Sequence, residues 1–400
     1  MILCAIALTI FAERGDFADI WLTDPLASSG YETLGALCSE DNPNMKTMME
    51  LIRIRGRGAP ENPANRFERI EYEPDPEAFE EDEPAPRTQF FRDTTRRIIA
   101  TNESPDVGFT HSVNPYRGCE HGCIYCFARP FHEYLGLSAG LDFETKIFVK
   151  ERAAELLRRE LSARNWKPTP IAMSGVTDPY QPVERRLGVT RGCLEVLADF
   201  RNPVGIVTKN HLVTRDADLL SELAGRGATA VHISLTTLDD KLQRVMEPRT
   251  SSPARRLAAV RTLSDAGVPV GVLLAPIVPG LTDHEIPALL EAAAAAGATS
   301  AGFIPLRLPY AVAGLFERWL ETHFPDRKEK VLGRIREIRG GDLYDSRYGV
   351  RMRGEGVYAD HMRALFQTSR RRHGLDSERR PLSITSFRVP AAGGQMALFE

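Results

Sequence analysis

From Val107 onward, short apolar runs alternate with amphipathic stretches in a rhythm that predicts repeated strand–helix units. The predicted strands are Phe109–Val113, Lys146–Lys150, Ile171–Ser174, Val204–Thr208, Ala230–Leu235 and Val268–Ala275. Between and after them the pattern predicts helices at Ala128–Leu135, Glu151–Ala163, Thr190–Phe200, Arg215–Ala224, Pro253–Ala266 and Asp283–Ala296. In the second of these helices Ala154, Leu157 and Leu161 fall on one face. Thr190 is placed to cap the third, and Gly267 and Gly297 stop the last two. Strands that alternate with helices demand a parallel sheet, and right-handed crossovers curl six such units into an open, partial (β/α)6 barrel of the α/β class. Ala301–Pro305 is a candidate further strand along its edge. Ligands of parallel barrels gather at the carboxyl ends of the strands, so the polar residues just beyond those ends are the first candidates for chemistry.

Outside residues 107–310 the pattern weakens. Residues 2–12 are apolar, but the run lacks a basic flank and is too short to span a bilayer. Met45, Met48 and Met49 stand just before the basic stretch Arg53-Ile-Arg-Gly-Arg-Gly58, and translation is expected to begin at one of them, leaving residues 1–44 as a non-native or disordered extension. Residues 45–106 are basic and then acidic; Glu71–Glu83 is punctuated by proline and reads as a linker without stable structure. Residues 311–390 read as a helical, basic C-terminal region and 391–400 as a flexible tail.

With 400 residues, 42% apolar and 26% charged, the chain is long enough for one large domain and its extensions. A net charge of −3 argues against a wholesale nucleic-acid coat. The distribution says more: Arg351–Arg380 is strongly basic and includes Arg370-Arg-Arg-His373, which marks either a nucleic-acid contact or a solvated helix face. Of six cysteines, Cys4, Cys38 and Cys193 are scattered, so no disulfide framework is indicated, and a reducing cytoplasm is the expected compartment.

The other three cysteines carry the candidate chemistry. Cys119-Glu-His-Gly-Cys123-Ile-Tyr-Cys126 places three thiols at C-x3-C-x2-C spacing, enough to hold three corners of a [4Fe–4S] cube while the fourth iron stays open. Gly118 and Gly122, without Cβ, allow the backbone to curl around a bulky group. Two other readings stay open: a zinc site completed by His121 or Cys193, and a non-catalytic Fe–S protein that carries electrons or senses redox state.

The spacing, with Tyr125 at the aromatic position of C-x3-C-x-aromatic-C, resembles the radical S-adenosylmethionine (SAM) superfamily. That resemblance implies that SAM chelates the open iron and that an electron from an external one-electron reductant cleaves it reductively to a 5′-deoxyadenosyl radical. Further short stretches, over about residues 107–310, are similar to the spore photoproduct lyase-like branch of that superfamily and its uncharacterised bacterial relatives. They are Thr177-Asp178, Thr208-Lys209, His232-Ile-Ser234, Glu247-Pro-Arg-Thr-Ser-Ser252 and Ala275-Pro-Ile277, in matching order. Arg55-Gly-Arg-Gly-Ala-Pro-Glu-Asn-Pro63, Asn65-Arg-Phe-Glu68 and Asn114-Pro-Tyr-Arg-Gly-Cys119 resemble the uncharacterised relatives in particular.

Carried over by position, the resemblance implies that Tyr125, Thr177, Lys209 and Ser234 line the SAM site. An ammonium suits the methionyl carboxylate, and hydroxyls suit ribose and carboxylate oxygens. One departure stands out: the hydrogen-donating cysteine that the lyase places after its third strand is replaced by Gly175, with Cys193 as the candidate substitute. Asp178, Tyr180, Gln181 and Glu184, and the triplet His132-Glu133-Tyr134, are candidates to shape the pocket or to make ordinary turns and caps. The terminal Gln395-Met-Ala-Leu-Phe-Glu400 resembles the peptide by which bacterial DNA polymerases and repair enzymes dock on the sliding clamp, through Gln395, Leu398 and Phe399.

Overall fold

The computed structural model describes residues 54, 56–68, 86–377 and 381–390. The expected N-terminal extension, the acidic linker Glu71–Glu83 and the clamp-like tail lie outside the described residues. Among the described residues no helix is long and apolar enough to cross a membrane.

Among the described residues ten strands form two sheets. In chain order they are β1 (Gln89–Arg92), β2 (Ile99–Thr101), β3 (His111–Val113), β4 (Tyr116–Arg117), β5 (Lys146–Val149), β6 (Ile171–Met173), β7 (Val204–Thr208), β8 (Thr229–Ser234), β9 (Val270–Ile277) and β10 (Ser300–Pro305). The larger sheet has the order β10-β9-β8-β7-β6-β3-β2. β3 and β6 to β10 pair in parallel, and β2 joins β3 antiparallel. Six parallel strands with helical crossovers give the partial barrel that the alternation predicts.

The strands obey period 2: in β7, Val204, Ile206 and Thr208 are buried while the residues between them are only half-buried. The covering helices obey period 3.6: in Ala153–Leu161 the buried positions are Ala153, Leu156, Leu157 and Leu161. Their apolar faces and the strands close one core containing Val113, Met173, Ile206, Val231 and Val272. A second core, behind Ile124, is built by Leu315, Phe316, Trp319 and Ile335 of the C-terminal region.

Four expectations are corrected. Lys146–Lys150 is a strand but not a barrel strand: β5 pairs parallel with β1 and antiparallel with β4 in a separate three-stranded sheet. The sixth barrel strand is β10, taken from the sequence as an edge addition. The segment after the cysteine loop is a 3₁₀ helix over Arg129–Leu135 with Pro130 in its first turn. Thr190 lies inside the third predicted helix rather than at its cap, because Glu184 takes the free N–H groups of Thr190 and Arg191 at 3.0 and 3.3 Å.

Candidate functional site

β3 runs through Asn114-Pro115 into β4, and Gly118, at φ +77°, then turns the chain into the cysteine loop. A Cβ at Gly118 would stand 3.0 Å from the carbonyl oxygen of Phe143, so both its conformation and its surroundings require glycine. The loop is pinned at both ends and in the middle. Cys119 N–H donates to Phe143 O at 2.9 Å, Ile124 N–H to Met246 O at 3.1 Å, and Arg249 N–H to His121 O at 3.2 Å.

Cys119 and Cys123 are buried, Cys126 is half-buried, and all three are free thiols. Burial pushes Cys123 well above its ordinary value and Cys126 up to about 11, with neighbouring thiols adding to both. Thiolates in this place need positive charge bound directly to sulfur, which is what iron in a cluster provides. Among the described residues no group of three or more His, Cys, Asp or Glu side chains is arranged around a single metal ion; the loop offers three separate thiol donors. Cys193 does not join them. It sits fully buried in the main core, and burial pushes its thiol up to about 12.

The stretch at residues 57–63 straps the loop from outside. Gly58 and Ala59 N–H donate to the two oxygens of Glu144 at 3.0 and 2.8 Å, and Arg129 Nη2 reaches the same carboxylate at 2.5 Å. A Cβ on Gly58 would overlap the carbonyl of Gly122, and one on Gly140 the carbonyl of Glu61. Gly58→Ala is therefore expected to lift the strap at a cost of about 1–3 kcal/mol, seen as a lower melting temperature and faster proteolysis within residues 54–68. Gly108→Ala, with nothing within 4 Å of the new Cβ, is the silent comparison.

Three of the four residues assigned to the SAM site converge. Lys209, just past β7, donates from Nζ to Ser234 Oγ at 2.5 Å and to Ala275 O at 3.0 Å, and lies 5.7 Å from the Tyr125 ring centroid. Thr177 stands apart, against the loop: its hydroxyl donates to Gly118 O at 2.7 Å and accepts from Gln181 Nε2 at 3.2 Å. Asp178 joins the two walls. It accepts from Lys209 N–H at 2.8 Å and Thr208 Oγ1 at 2.7 Å, and faces His121 Nδ1 at 3.4 Å. Burial works against a charged His121, but Asp178 and Cys119 more than offset it and hold the imidazole at about 10.

The remaining candidates divide. Gln181 Oε1 accepts from Glu120 N–H at 2.9 Å and so braces the cysteine loop. Tyr180 and Glu184 are buried; Glu184 accepts from Tyr116 OH at 2.5 Å and Arg215 at 2.8 Å besides capping the following helix, Val189–Phe200. Their role is in the scaffold. His132 is buried edge-on to Phe143, Glu133 pairs with Arg66 at 2.7 Å, and Tyr134 is exposed. Gly175 lies beside Asn114 at the end of β6, where a Cβ would meet that side chain at 3.4 Å.

Glu247 is the residue that sequence reasoning passed over. It is fully buried, accepts from Tyr125 OH and Arg256 Nη2, and stands 3.4 Å from Lys209 Nζ. Burial alone would raise its carboxyl, but Arg256 and Lys209 overcome this and hold it at about 2. Its stretch was singled out, yet no signal marked the carboxylate as internal. Arg256, on the inner face of helix Pro253–Asp265, is the nearest such signal.

Residues 113–293 match the sequence model of the Radical SAM superfamily. Uncharacterized proteins of Mycobacterium tuberculosis (strain H37Rv) and Mycobacterium bovis are 38% identical over 244 residues, which cover 60% of this chain and 71% of theirs. An uncharacterized protein of Methanocaldococcus jannaschii is 29% identical over 184 residues, 46% of this chain and 66% of that one. Among solved structures, a spore photoproduct lyase variant is 18% identical, with a TM-score of 0.47 over 71% of this chain and 77% of that one.

Proposed function

We propose that this chain, which belongs to the radical SAM superfamily, is an enzyme that holds a [4Fe–4S] cluster on Cys119, Cys123 and Cys126 and cleaves S-adenosylmethionine reductively. The observation that carries this reading is the grouping of three free thiols on one pinned loop beside the Lys209–Ser234 pair, at the carboxyl ends of β7 and β8. When bound, the cluster supplies one electron, taken from an external reductant, to the sulfonium.

The chain's own residues do the rest. Cys119, Cys123 and Cys126 would hold the cluster through three thiolates. Lys209 is aimed by Ala275 O and Ser234, so its ammonium meets a carboxylate without searching. Tyr125 closes its hydroxyl on Glu247 and turns its ring toward that ammonium. Thr177 and Gln181 hold the turn at Gly118 and thereby the position of Cys119.

Anaerobic reconstitution with iron and sulfide, followed by dithionite and SAM, is expected to release 5′-deoxyadenosine and methionine. A brown protein that leaves SAM intact would instead be a redox carrier or sensor. Lys209→Met is expected to weaken SAM binding by roughly tenfold or more, the worth of one charge-assisted hydrogen bond. Equilibrium dialysis under argon measures this while the cluster's EPR signal stays; unchanged affinity would remove Lys209 from the site.

A further inference from the structure

The end of the barrel that carries the cysteine loop also carries a surface of exposed rings and guanidinium planes. Phe127 follows Cys126 directly and is 44% exposed, with the Arg307 guanidinium 5.2 Å from its ring centroid. Arg307 stands just past β10, makes no salt bridge among the described residues, and donates from Nη1 to Met352 Sδ at 3.1 Å. Beside it, Arg66 lies between two exposed rings, 3.8 Å from Tyr310 and 4.9 Å from Phe67. Phe67 stacks in turn on exposed Tyr134 at 4.9 Å. Glu133 pairs with Arg66 at 2.7 Å and so positions its guanidinium.

Tyr310 adds an independent observation. Its backbone is held at φ +51°, a conformation a bulky residue rarely adopts, and its ring is nevertheless 61% exposed. Strain of this kind persists where a binding site requires it. The ring itself takes no part in the core.

The basic C-terminal segment meets this surface only at its start. Arg339 donates to Pro305 and Leu306 carbonyls and to those of Val350 and Arg351, which pins the turn Val350–Arg353 to the carboxyl end of β10. There Arg351 lies 4.5 Å over the exposed ring of Tyr348. Arg370–Arg372 sit at the other end of the barrel, since Ala301 N–H donates to Leu375 O and Ser300 bridges Asp376 at the beginning of β10.

We propose that this aromatic–arginine platform takes the unpaired bases of single-stranded DNA and leads the strand to the cysteine loop. Flat rings alternating with guanidinium planes match successive bases, each of which has a π-face, and a cation without a carboxylate partner suits phosphate. The resemblance of the terminal Gln395–Glu400 peptide to clamp-docking segments favours DNA, and RNA is an outcome of the test. The proposal deepens the enzymatic reading above by naming its substrate class, and it rests on that reading only for what happens after binding.

The test uses the full-length, anaerobically reconstituted protein and a fluorescent oligonucleotide of about 15 nucleotides, a length that spans the usual single-strand site. Anisotropy is expected to show salt-dependent binding of the single strand, tighter than of the duplex or of the RNA of the same sequence. Tyr310→Gly is expected to weaken it about tenfold, the worth of one stacked base. The same change relieves the positive φ, so the melting temperature should hold or rise, which separates lost binding from lost folding. Arg371→Ala with Arg372→Ala, at the far end, should change nothing. Equal binding of duplex, preference for RNA, no effect of Tyr310→Gly, or a wild-type dimer that Tyr310→Gly disperses in sedimentation would each overturn the proposal. Absence of 5′-deoxyadenosine with oligonucleotide binding intact would sink the enzymatic reading alone.

Discussion

Cys119→Ala, Cys123→Ala and Cys126→Ala are each expected to abolish release of 5′-deoxyadenosine, a loss of the whole signal rather than a fraction of it. The reason is that each of the three thiolates would hold the cluster, and with one removed it would be bound too weakly to persist. The chain itself should survive all three changes. The loop is held by the backbone bonds of Cys119 to Phe143, Ile124 to Met246 and Arg249 to His121, and alanine keeps every one of them. Iron content and the EPR signal of the reduced protein should therefore fall while the melting profile of the cluster-free chain stays. Cys193→Ala is the matching comparison: its thiol is packed in the main core, so it should lower stability modestly and leave turnover in place. Turnover retained by any one of the three loop variants would contradict the ligand assignment.

The barrel was legible because its strands and helices repeat with periods that differ, and β7, β8 and β9 lie within two residues of where alternation puts them. β5 was misplaced for a physical reason. Alternation says that a strand has a buried face, not which sheet buries it, and the partners of β5 are β1, in a region of weak pattern, and β4, only two residues long. The cysteine loop was legible from spacing, and so was the meeting of Lys209 with Ser234, because both follow or end neighbouring strands. What the sequence hides is burial of charge. Glu184 reads as a pocket or turn candidate and Glu247 only as part of a resembling stretch, yet each is fully buried and paired with arginine. Glu133 is hidden in the same way by Arg66, and that pair underlies the exposed rings of Phe67 and Tyr310. Pairings at a separation of tens of residues leave no periodic trace.

Glu247→Ala is expected to cost about 3–5 kcal/mol of folding stability, because it strands a buried cation rather than merely removing a contact. Arg256 is 1% exposed and Lys209 half-buried; without the carboxylate, Arg256 keeps only neutral acceptors such as Ser234 O at 3.0 Å and Ser251 O at 2.8 Å. Tyr125 OH would lose its acceptor in the same step. Urea denaturation should show a lower midpoint with an unchanged slope. Glu247→Gln, which keeps the volume and one acceptor, should fall between wild type and alanine. Adding Arg256→Met to Glu247→Gln should recover part of the loss, since both charges then leave together; a cycle that closes without coupling would show that the two groups do not act as a pair. The pH dependence carries the same sign. Pairing holds the Glu247 carboxyl at about 2, below its ordinary value, so its contribution is present above the usual carboxylate range and is lost as pH falls toward 2. In Glu247→Gln that part of the acid sensitivity should disappear.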